Sequence, residues 1–132
     1  MVALALAVGA FIGAVLRYEM GQWVAPLPNG FPAGTLAINL AGCLFLGWFL
    51  TASASRLKIP QTVRIGLGTG LTGSFTTFST FSVEAVNLCR SGQVWLAALY
   101  VGVSIAGGIG LAGLGHLAAK SHFHSPKERT SA

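Results

Sequence analysis

Four long apolar runs divide the chain: Val2 to Trp23, Ala33 to Ala54, Val63 to Leu88, and Val94 to Ala119. Each reaches the roughly 20 residues that a helix needs to cross a bilayer core. The pattern therefore predicts an all-α integral membrane protein with four transmembrane helices. Between the first two runs, Ala25 to Pro32 carries Pro26, Pro28, Asn29, Gly30 and Pro32, a turn-rich link. Ser121 to Ala132 is polar and is expected to be disordered. The expected organisation is one membrane domain over residues 1–120 followed by a tail over 121–132. The first run has no basic segment before it and carries Arg17 behind it, so it reads as a retained helix rather than a cleaved signal.

The third run departs from the pattern in its middle. Thr72 to Ser82 holds seven hydroxyl side chains and three phenylalanines. The bilayer core offers no water to polar groups, so hydroxyls at that depth are expected to face protein or a wet path. The spacing of Phe75, Phe78 and Phe81 predicts rings on neighbouring turns of one helix face.

Composition supports the membrane class. The chain is 53% hydrophobic and 8% charged, with a mean hydropathy of +0.70, against roughly 25% charged residues in soluble domains. Its 18 glycines suit close helix packing in lipid, and Gly9 with Gly13, and Gly66 with Gly70, have the four-residue spacing of such contacts. Six basic residues (Arg56, Lys58, Arg64, Lys120, Lys127, Arg129) fall on the side of the termini and two (Arg17, Arg90) on the other. The positive-inside rule then places both termini in the cytoplasm. The net charge of +5 is an orientation signal. A nucleic-acid surface is the poorer reading, because the charges are scattered and lack interleaved aromatics.

Catalytic chemistry finds little support. The acids are Glu19, Glu84 and Glu128, and no nucleophile elbow, phosphate loop or carboxylate pair occurs. Cys43 and Cys89 form neither a disulfide framework nor a zinc site, and His122 with His124 falls short of a ligand set. No enzyme is expected. What remains are polar residues inside the runs: Asn39, Tyr100 and Ser104, with Arg17 and Glu84 as the charged groups nearest the helical core. Four helices leave little room for a polar-walled pore of their own, which points to a site along a subunit interface. Taken alone, these residues describe a small polar solute crossing a dimeric helical protein.

Three segments carry a resemblance. Gly9 to Tyr18 with its Gly-Ala-Val-Leu-Arg-Tyr ending, Gly34-Thr-Leu-Ala-Ile-Asn-Leu-Ala-Gly42, and Gly73-Ser-Phe-Thr-Thr-Phe-Ser-Thr-Phe-Ser-Val-Glu84 resemble the Fluc family of fluoride channels. The likeness runs to about residue 119. It implies an antiparallel, dual-topology dimer in the bacterial cell membrane that exports fluoride and relieves its toxicity, with two pores per dimer. It also implies a third helix broken around Gly73 to Thr76, whose backbone carbonyls at Gly73 and Thr76, from both subunits, would hold a structural Na+. Phe78 and Phe81 would line the pores. Asn39, Ser79, Thr80, Tyr100 and Ser104 would donate hydrogen bonds to the ion, and Thr35, Arg17 and Glu84 would support the vestibule.

Two features depart from that pattern. Gly108 stands where the family often has a further hydroxyl one turn beyond Ser104, and the basic residues are not balanced across the membrane. The partner is expected to be a second copy, with an oppositely oriented homologue as the alternative. Rival readings are a small four-helix multidrug exporter, a cation channel, and a non-transporting membrane subunit. The exporter requires a membrane-buried carboxylate in the first helix, where none precedes Glu19.

Overall fold

Apolar runs of this length leave backbone groups no partner in lipid except one another, so they fold as helices. The structure, a computed structural model, describes residues 1–24, 27–55 and 58–122. Pro26, Arg56 and the tail from Phe123 onward, all used above, lie outside the described residues. The elements are α1 (Val2–Trp23), α2 (Ala33–Ser55), α3 (Gln61–Ile65), a π-helical turn (Gly66–Leu71), α4 (Thr72–Phe75), α5 (Phe78–Arg90) and α6 (Val94–His122). No strand occurs among the described residues. Three helices are long and apolar enough to cross a membrane: Val2–Trp23, Ala33–Ala54 and Val94–Ser121. The chain is a multi-pass membrane protein. The last helix runs on through Ser121 and His122, past the predicted end of the fourth run.

The third run is the irregular one, because it is in pieces. Its glycine-rich start winds as the π turn, where the Thr72 hydroxyl donates to the Leu67 carbonyl five residues back at 3.0 Å. This turn lies backbone to backbone against α1. A Cβ on Gly9 would collide with the Gly66 carbonyl, and one on Gly13 with the Leu71 carbonyl. Gly66 and Gly70 in turn face the backbone of Ala5 and Leu6. Both glycine pairs read from the sequence are thus packing contacts.

α2 and α6 pack equally closely: a Cβ on Gly47 would meet the Ala112 carbonyl, and one on Gly115 the Leu44 carbonyl. Thr51 Oγ1 and His116 Nδ1 meet at 2.8 Å between the same two helices. α5 turns into α6 through a glycine C-cap. Gly92 has φ +80°, its N–H reaches the Cys89 carbonyl at 3.1 Å, and the Gln93 N–H reaches the Leu88 carbonyl at 2.9 Å. That cap seats Leu88, Ala97 and Tyr100 in one buried cluster, against which Phe31, Leu36 and Phe81 pack.

Candidate functional site

The site is built on the interruption between α4 and α5. At Thr76 ψ is 161°, and at Thr77 φ is −145° and ψ 121°, so two extended residues replace a helical turn. Asn39 of α2 lies opposite. The Thr77 N–H donates to Asn39 Oδ1 at 2.8 Å, and Asn39 Nδ2 donates to the Thr77 carbonyl at 3.0 Å. Thr77 also caps α5: its Oγ1 accepts from the Thr80 N–H at 3.2 Å, donates to Thr80 Oγ1 at 3.0 Å and meets Ser79 Oγ at 3.3 Å. On the other side of the break, the Thr76 N–H and hydroxyl both donate to the Thr72 carbonyl, at 3.0 and 2.9 Å.

These bonds decide which carbonyls are free. In a continuous helix the Thr77 N–H would serve the Gly73 carbonyl and the Thr80 N–H the Thr76 carbonyl. Here the first goes to Asn39 and the second to the Thr77 hydroxyl. Gly73 and Thr76 are therefore released from helical pairing, and by the same register so are Ser74 and Phe75.

A cleft of about 590 Å³ opens beside the break. Its wall includes Asn39, Cys43, Gly73, Thr76, Phe78, Phe81 and Ser104. Phe78 is 80% exposed, and its ring centroid lies 5.9 Å from that of Phe81. The Ser104 hydroxyl is buried at this wall and has no hydrogen-bond partner among the described residues. Gly108, one turn on, packs toward Cys43: a Cβ there would lie 3.4 Å from Cys43 Sγ. The thiol thus occupies the neighbourhood where a further hydroxyl was expected on α6.

Behind the Phe pair sits a second polar group. Glu84 accepts from Thr35 Oγ1 at Oε1 and from the Tyr100 hydroxyl at Oε2, both at 2.8 Å. Tyr100 is fully buried, with its ring 5.0 Å from Phe81 and edge-on to Phe31 at 5.6 Å. Its hydroxyl is committed to Glu84, and Tyr100 does not line the cleft.

Of the residues singled out from the sequence, the cleft brings together Asn39, Phe78, Phe81, Ser104, Gly73 and Thr76. Ser79 and Thr80 are exposed at the start of α5, bonded around Thr77 and off the cleft wall. Thr35, Glu84 and Tyr100 form the supporting cluster. Arg17 is half-buried on α1 and makes no ion pair among the described residues. The three phenylalanines do not share one helix face: Phe75 ends α4, before the break, while Phe78 and Phe81 follow it on α5. No group of three or more His, Cys, Asp or Glu suited to a metal occurs among the described residues.

Sequence reasoning missed Thr77, which holds the break together. The signal for Thr77 was present: a Thr directly before a helical run is an N-cap candidate.

Residues 4–116 match the family described as "CrcB-like protein, Camphor Resistance (CrcB)". Similar proteins include a fluoride-specific ion channel FluC of Oceanobacillus iheyensis, 52% identical over 107 residues, covering 81% of this chain and 82% of the relative. A fluoride-specific ion channel FluC 1 of Moorella thermoacetica is 48% identical over 110 residues, 83% of this chain and 79% of the relative. A fluoride-specific ion channel FluC of Chloroflexus aurantiacus is 49% identical over 108 residues, 80% of this chain and 85% of the relative.

Proposed function

The chain belongs to the CrcB-like family, and from that premise we propose that it is a fluoride-selective channel that lets the ion leave the cell down its gradient. Its relatives are named as ion channels, and it is a membrane protein of that family rather than an enzyme. The observation that carries the proposal is the Ser104 hydroxyl, buried without a partner among the described residues at the wall that Phe78, Phe81 and Asn39 share. An unpaired hydroxyl at membrane depth is costly, and a small anion in the cleft would pair it.

Fluoride is small and strongly hydrated, so its passage requires groups that replace lost water. Ring edges carry partial positive charge, and Phe78 and Phe81 offer them to an anion. Ser104 Oγ–H and the second N–H of Asn39 add neutral donors. Neutral groups bind an ion weakly enough to release it. Glu84 serves from behind, by fixing Tyr100 and through it Phe81.

The cleft is open on one side, which fits a pore closed by a second, antiparallel subunit, with two such pores per dimer. In this reading the pieces from α3 to α5 together make the third of four spans along the chain. The released carbonyls of Gly73 and Thr76 suit a hard cation such as Na+, since hard oxygen donors match it and a second subunit over the exposed Gly73 would bury the break. Bound there by both copies, the ion would supply fixed positive charge and a tie between subunits. A homodimer is the first reading. The six-to-two bias of basic residues favours an oppositely oriented homologue as the second.

Fluoride efflux from liposomes holding the purified chain, with chloride for comparison, tests the function. Fast fluoride release without chloride release is expected, weakened by Phe81→Ile. Silence that a co-expressed homologue does not relieve would overturn it.

A further inference from the structure

We infer that Asn39 is a positioning residue: it keeps the third span broken by pairing, side chain to backbone, with Thr77. This rests on the channel reading above and assigns Asn39 a task in it besides donating to the ion. Asn39 presents an acceptor to the Thr77 N–H and a donor to the Thr77 carbonyl, as a neighbouring peptide unit would. Both partners belong to one extended residue, so the two bonds fix the amide against rotation. A reversed amide would set N–H against N–H and oxygen against oxygen.

Three consequences follow from that geometry. The Thr77 N–H, held by Asn39, is withdrawn from the Gly73 carbonyl, which stays free to meet a cation. Thr77 is fixed at the head of α5, so the direction in which Phe78 and Phe81 leave the break is set by α2. One N–H of Asn39 remains unspent and, because the other is fixed, has a single orientation on the cleft wall that Asn39 lines. A residue 38 positions away in sequence thereby governs the carbonyls and the rings together.

Amide hydrogen exchange of the full-length protein in lipid nanodiscs reads the staple without reference to flux. The Thr77 amide is expected to be protected, and Asn39→Ala to speed its exchange at least tenfold while amides within α2 and α6 keep their protection. Asn39→Asp retains an acceptor for the Thr77 N–H and is expected to restore protection. Equal Thr77 exchange in the wild type and Asn39→Ala overturns the inference.

A second arm replaces the Thr77 amide with an ester, which removes the N–H and leaves Asn39 intact. Fluoride flux is expected to fall at least tenfold, and the ester is expected to add nothing to Asn39→Ala. Wild-type flux in the ester protein would overturn the staple and leave Asn39 solely an ion donor. If the unmodified chain carried no fluoride, the fluoride reading would fail, and the exchange measurements would still decide the role of Asn39.

Discussion

At the scale of single residues, Ser104 and Glu84 separate ion handling from stability. Ser104 Oγ has no partner to lose among the described residues, so Ser104→Ala is expected to leave thermal stability unchanged or raised. Hydrogen bonds to charged groups contribute about 1.5–3 kcal/mol, so fluoride flux in that variant should fall on the order of tenfold or more, measured by liposome efflux. Glu84 behaves in the opposite way. Its two oxygens take one hydroxyl each from Thr35 and Tyr100, and Glu84→Gln offers one oxygen for two donors. A destabilisation of about 1–3 kcal/mol is expected from the stranded hydroxyl, visible as a lower melting temperature in detergent. Both residues were marked in the sequence by polarity inside an apolar run. Their partners were not legible, since Thr35 and Glu84 are 49 positions apart, and only folding decides which donors an acceptor meets.

At the scale of elements, α1, α2 and α6 were readable from their apolar runs, and the helices start where the runs do. The pieces of the third run were not. A π turn leaves no hydrophobic period of its own, and the Gly-rich segment Gly66–Leu71 is compatible with several backbone paths until α1 packs on it. The break was expected from family likeness around Gly73 to Thr76, and the extended residues are Thr76 and Thr77. The glycine spacing, in contrast, identified the α1 contact correctly. Gly9→Ala puts a methyl into the Gly66 carbonyl and is expected to destabilise by about 1–3 kcal/mol as overpacking does. Gly21→Ala, with nothing within 4 Å, is expected to be neutral or stabilising, because Ala is the better helix former by up to about 1 kcal/mol. Paired thermal melts distinguish the two.

At the scale of the molecule, membrane class followed from the apolar runs and composition, whereas assembly does not follow from one chain. Large apolar side chains stand exposed along α1, α5 and α6, among them Phe11, Val83 and Ile109, where lipid or a second subunit would cover them. Single cysteines at Lys58 and Gln93, in a background without Cys43 and Cys89, report orientation by impermeant labelling of intact cells. A dual-topology homodimer predicts partial labelling at both positions. Labelling confined to Gln93 would favour the oppositely oriented homologue. In the proposed channel fluoride permeates and Na+ stays fixed at the break. Reversal potentials recorded across a planar bilayer, with fluoride, chloride and Na+ gradients varied separately, test it most directly. A fluoride channel predicts a reversal potential that follows the fluoride gradient and ignores Na+; a potential that follows Na+, or chloride equally with fluoride, would contradict it.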